Sequence, residues 1–113
     1  MAPLPNYLRT HRKRAALSQE EVAFLLGVKG MNKANKVSRD EHYARTPTLE
    51  SALAYEAIYG KPIRELFAGL YDGVEREVVA RAKALTHRTG GNVNPNGQRA
   101  LSELALRNSK TAL

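Results

Sequence analysis

The sequence predicts an all-α fold. Three observations lead there: apolar residues recur at spacings of three and four, capping and stop residues punctuate that pattern at short intervals, and no alternating run of strand character occurs. A length of 113 residues suits one domain, and 42% apolar residues place the chain in the globular class. There is no internal repeat.

The elements follow in order. A first helix, roughly Pro5–Ala15, carries Leu4, Leu8, Ala15 and Leu17 as an apolar stripe through a basic segment. Ser18, with Glu21 three residues on, is a capping-box pattern. It opens a second helix from Gln19 to Leu26, apolar at Val22, Ala23, Leu25 and Leu26 and stopped by Gly27. The stretch Lys29–Lys36 (KGMNKANK) is polar and cationic. Ala34, Val37 and Glu41, at i, i+3 and i+7, place a third helix from about Lys33 to His42.

Thr46-Pro47-Thr48 opens a fourth helix, because proline in a first turn gives up an N–H that has no partner there. Leu49, Leu53, Ala57 and Ile58 are expected inside, Ala52 and Ala54 allow close approach, and Gly60 ends the helix. Pro62 starts a short fifth helix with Ile63, Leu66 and Phe67 pointing inward. Asp72 is expected to cap a sixth, with Val74, Val78, Ala82 and Leu85 as its stripe, for the core or for a second protomer. Thr86–Gln98, containing Gly90, Gly91, Pro95 and Gly97, is expected to break regular structure. Arg99–Arg107 then makes a final short helix on Leu101, Leu104 and Ala105. Three segments result: a domain over 1–70, an additional helix over 71–86, and a linker with a short helical or disordered tail over 87–113.

Several chemistries are excluded. The chain has no cysteine, which removes disulfides, thiol nucleophiles and thiolate zinc sites and favours a reducing compartment. No uncharged apolar run approaches the roughly 20 residues that cross a bilayer, and the basic cluster of MAPLPNYLRTHRKR follows its apolar stretch, the reverse of a secretory signal. A soluble, cytoplasmic protein is expected. His11, His42 and His87 lack metal-ligand spacing and read as solvent-facing or hydrogen-bonded in place. Ser18 and Ser38 lack an activating His–Asp arrangement, and the glycine-rich GGNVNPNG has no phosphate-loop lysine. No catalytic residue, metal or cofactor is expected, and the chain does not read as an enzyme.

Charge alone suits a surface for a polyanion and a solvated, solubilising face about equally. Of the net +7, residues 1–45 hold +5 and residues 87–113 hold +3, while the middle is nearly neutral. Clustered cations are what phosphate neutralisation with counterion release requires.

Two stretches make this specific. YLRTHRKRAALSQEEVAFLLGV (Tyr7–Val28) and VSRDEHYARTPTLESALAYEAIYGKPIRELF (Val37–Phe67) resemble the lambda-repressor-like (Cro/cI, Xre) helix-turn-helix family. The resemblance rests on an L-R-x-x-R opening, LSQEEVA, L-G-V, VSRDE, a proline turn and a closing E-L-F, and covers about residues 7–67. It implies a five-helix lambda-repressor-like helix-turn-helix domain with an additional C-terminal helix and a flexible tail, whose third helix reads double-stranded DNA in the major groove. The sequence departs from the family's pattern in four places. Eight residues (Lys29–Lys36) separate L-G-V from V-S-R, more than is usual, and Ala16 stands where glycine is common. Asp40 occupies an often apolar or aromatic position, and His11 one often held by leucine.

The candidate residues follow. Asn35 and Arg39, four apart on the third helix, suit bidentate readout of adenine and guanine, and Asn32 joins them because of the longer turn. Gln19, by resemblance, contacts the DNA backbone from the start of the second helix. Arg14, Lys29, Lys33, Lys36, Tyr43 and Arg45 are candidates for phosphate contact. By resemblance Arg12 and Glu41 form a partly buried structural ion pair. One module reads few base pairs, so a homodimer through helix 5, helix 6 or the C-terminal segment is expected.

The implied function is sequence-specific transcriptional regulation, as a dimeric repressor acting by operator occupancy in the nucleoid. Two alternatives stand beside it. One is an autoregulating antitoxin whose C-terminal tail holds a protein partner. The other is an interaction module (an antiactivator) that keeps the scaffold without binding DNA, favoured by Asp40 and the long turn.

Overall fold

The computed structural model describes residues 2–89 and 94–111, and all regular structure among them is helical. The helices are α1 (Leu8–Arg14), α2 (Gln19–Leu25), α3 (Ala34–Glu41), α4 (Leu49–Tyr59), α5 (Ile63–Leu66), α6 (Ala68–Thr89) and α7 (Pro95–Thr111). The chain divides into two compact units, Met1–Leu70 and Tyr71–Leu113. Among the described residues no helix is long and apolar enough to cross a membrane.

In the first unit, local chemistry fixes each helix end. Asn6 is buried; its Oδ1 accepts the Leu8 N–H at 3.1 Å, and its Nδ2 donates to the Asp40 carbonyl at 2.9 Å. The helix therefore starts at Leu8, later than the Pro5 start the sequence suggested. The Tyr7 N–H donates to the Leu66 carbonyl at 2.7 Å, which ties this approach to α5. A capping box opens α2: Ser18 Oγ accepts the Glu21 N–H at 3.0 Å, and the Glu21 carboxylate accepts the Ser18 N–H at 2.8 Å. Those bonds, the backbone one first, hold the Glu21 carboxyl below its ordinary pKa. Gly27, at φ +81°, ends the helix in a conformation that suits glycine.

The core of this unit is Leu8, Val22, Ala23, Val37, Tyr55, Leu66 and Phe67, drawn from α1 to α5 and the residue that follows α5. Tyr55 meets Phe67 edge-on at 6.5 Å and lies parallel to Tyr59 at 6.1 Å. Of the stripe expected inside α4, only Ile58 packs against the core. Leu49 and Leu53 are 72% and 52% exposed, and Ala57 is exposed too. Tyr55 is fully buried instead, with Ala52, Ile58 and Tyr59 packed beside it. The helix is apolar on both sides, and the tyrosine side wins because its hydroxyl finds a buried acceptor there (Asp40, below).

The helices of the second unit are longer than the sequence suggested. Asp72 does not cap α6; it lies inside the helix and pairs with Arg76 at 3.1 Å. Of the expected stripe only Ala82 is buried, joined by Val79 and Glu75, whereas Val74, Val78 and Leu85 are 52%, 40% and 43% exposed. The expected break over Thr86–Gln98 is shorter. Thr86 Oγ1 donates to the Ala82 carbonyl at 3.0 Å, and the helix continues to Thr89. Asn94 Oδ1 accepts the Gly97 N–H at 2.8 Å, so that Asn94 and Pro95 start α7 rather than interrupt the chain. Gly90 and Gly91, central to that expectation, lie outside the described residues.

Candidate nucleic-acid interface

The distribution of charge around α3 follows from its helical register. Val37, Asp40 and Glu41 are buried at 0%, 0% and 4% exposure. Asn35 and Arg39 lie opposite and are exposed, as is His42 one turn beyond Arg39. Both acids of the helix thus point inward, and the outward side carries one amide and one guanidinium, with the His42 imidazole just past its end.

Each buried acid is fully engaged. Glu41 takes Arg12 in a bidentate pair, Nε at 2.6 Å and Nη2 at 3.2 Å, and accepts the Gln19 amide at 3.1 Å. Arg12 also donates to the Leu17 carbonyl at 3.0 Å, and its bonds to Glu41 raise the guanidinium pKa. One cluster thereby holds α1, the start of α2 and the end of α3. Asp40 accepts the Tyr55 hydroxyl at 2.7 Å, Lys36 Nζ at 3.3 Å and Arg45 Nε at 3.3 Å. Burial, and then the bond to Asp40, pushes the Tyr55 hydroxyl pKa up. Burial also raises the Tyr59 hydroxyl pKa; that hydroxyl is shut from solvent and has no hydrogen-bond partner among the described residues.

The residues singled out from the sequence divide into three groups. Asn32, Asn35, Arg39, Lys29 and Arg14 are exposed, the first three on or just before α3 and Lys29 in the preceding turn. Tyr43, at φ 64°, is 46% exposed beyond the end of α3. A second group is already committed within the protein. Gln19 bonds Glu41, Lys36 and Arg45 bond Asp40, and the Lys33 ammonium sits 5.4 Å from the centre of the Phe24 ring. Arg12 and Glu41 form the third, a structural pair.

Two residues of the outward face were missed in the sequence. Ser38 and His42 continue the i, i+3, i+4, i+7 series from Asn35 through Arg39, a spacing the sequence carries in plain form. The His42 ring Nδ1 lies 2.7 Å from the Ser38 carbonyl and 3.4 Å from its hydroxyl, so the two side chains sit together. His11, read as solvent-facing or hydrogen-bonded in place, is buried, its ring 6.3 Å from that of Tyr59. Among the described residues no group of three His, Asp or Glu could hold a metal ion.

The turn between α2 and α3 also presents a fully exposed Met31, just after Gly30 at φ +109°. Comparison with protein-family models, with curated proteins and with solved structures finds no match to this chain.

Proposed function

We propose that this chain is a sequence-specific double-stranded DNA-binding regulator of transcription, built on a five-helix helix-turn-helix of the lambda-repressor-like kind. In this reading α3 enters the major groove. Asn35 and Arg39, with Asn32, contact base edges, while Lys29, Arg14 and Tyr43 meet phosphates. Lys36, Arg45 and Gln19 add to phosphate binding only to the extent that they exchange internal partners for it. Two copies on an inverted repeat supply the length of readout that one module lacks, and occupancy of the operator represses.

One observation carries the proposal. Asp40 and Glu41, the two acids of α3, are buried, leaving Asn35 and Arg39 outermost. A helix facing a polyanion must not present carboxylates, and this one does not. The same burial removes one support for an interaction module without DNA binding, since Asp40 is not a surface acid.

The test is a mobility shift with random duplex at low salt, where counterion release is most favourable. A shift that weakens steeply as salt rises is expected. An unshifted duplex at low salt would exclude DNA binding and leave protein interaction as the function.

A further inference from the structure

We infer that Met31 reads a thymine methyl group in the major groove, adding an apolar contact to the polar readout by α3. Met31 is 101% exposed, the most exposed large apolar side chain among the described residues. Single exposed apolar residues are ordinary on a protein surface. This one differs in how it is held and in what surrounds it.

The turn keeps the side chain outward. Val28 packs against the core, and its N–H donates to the Ala23 carbonyl at 3.0 Å. On the far side the Lys33 ammonium lies 5.4 Å from the centre of the Phe24 ring, and the Asn32 carbonyl accepts the Asn35 N–H at 3.0 Å. Both ends of the turn are thus tied to α2 or to α3. Gly30, at φ +109°, supplies the positive φ that lets the chain bulge between them. Met31 follows it, one residue before the bonded turn over 32–35 that leads into α3.

The surroundings suit a nucleic acid. Residues 22–39 contain no acid, and Lys29, Lys33, Lys36 and Arg39 all fall within them. Cations so placed hold the turn close to phosphates. Among the groups that base edges show in the major groove, the thymine C5-methyl alone is apolar. Methionine fits such a target, because three rotatable bonds and a polarisable thioether let it settle on a small group. The eight residues between Val28 and Val37 thereby gain a use: they carry an apolar reader beyond the N-terminal end of α3. This contact rests on the proposed DNA-binding reading and extends it to a further base.

The probe is a duplex selected by the unmodified chain from a random pool, with each thymidine replaced in turn by deoxyuridine, which lacks only the methyl. Replacement at one position is expected to weaken binding about fourfold, the worth of burying one methyl group. Met31→Ala is expected to erase the difference between the two duplexes, and Met31→Leu to keep it. All three proteins should melt at the same temperature, since the side chain packs against nothing in the fold. If no thymidine is sensitive to replacement, or if the penalty persists undiminished in Met31→Ala, the inference is overturned while DNA binding stands. A chain that selects no duplex would remove the DNA reading and this contact with it.

Discussion

The Tyr55 hydroxyl donates to Asp40 Oδ2 at 2.7 Å, with both side chains closed off from water. This bond joins α4 to α3 through the core and decides which way α3 faces. An acid one turn from Lys36 and next to Arg39 would otherwise dilute a cationic surface. Here it is drawn inward, and Lys36 and Arg45 close over it at 3.3 Å. The core and the candidate interface are two sides of one arrangement.

Tyr55→Phe keeps the ring and removes the donor. A cost of about 1–3 kcal/mol is expected, as for a buried acceptor that loses a partner, and thermal unfolding measures it. Burial raises the hydroxyl pKa of both Tyr55 and Tyr59 above the ordinary 10.0. The folded state therefore holds these protons after the unfolded chain has released them. Their contribution to stability is complete below pH 10.0 and declines as pH rises beyond it. The melting temperature should fall with alkaline pH, and fall less steeply in Tyr55→Phe; identical slopes in the two proteins would refute the assignment.

Glu41→Ala strands Arg12, only 12% exposed at its side chain, and releases the Gln19 amide. Breaking one side of such a pair costs about 3–5 kcal/mol. The melt should drop by that amount, with any loss of DNA affinity following from it. Weaker DNA binding with an unchanged melt would instead make Glu41 or its partners part of the interface itself.

Ala16 adopts φ 57°, a left-handed conformation that glycine tolerates and alanine does not. No other residue type relieves that strain as simply. Ala16→Gly should stabilise the fold by about 1 kcal/mol despite the added freedom of the unfolded chain, read as a higher melting temperature. A lower melting temperature would show that the surrounding turn has absorbed the strain.

Much of the first unit was legible in the sequence. Ser18 with Glu21, and Thr48 after Pro47, mark helix starts through local hydrogen bonding, which depends on neighbours in the chain alone. Val22, Ala23, Val37 and Leu66 are buried at the spacings that suggested it. What failed was the choice between faces. In α4 the leucines looked like the core, yet Tyr55 is buried, because a partner 15 residues earlier in the chain satisfies its hydroxyl. In α6, of Val74, Val78, Ala82 and Leu85, read for the core or for a second protomer, only Ala82 is buried, beside Glu75 and Val79. At the candidate site the internal partners were what the sequence could not display. Lys36, Arg45 and Gln19 were read as free to meet phosphate, and only their three-dimensional neighbours show them engaged with Asp40 and Glu41.

The central claim, that the outward side of α3 reads base edges, is tested most directly by selecting bound sequences from a random duplex pool, with Arg39→Ala and Lys29→Ala in parallel. A defined motif should emerge for the unmodified chain. Arg39→Ala should lose discrimination at one guanine, worth about 1–3 kcal/mol, whereas Lys29→Ala should keep the motif and reduce the salt slope by about one. A motif that Arg39→Ala leaves unaltered, or a pool that yields none, would contradict the account.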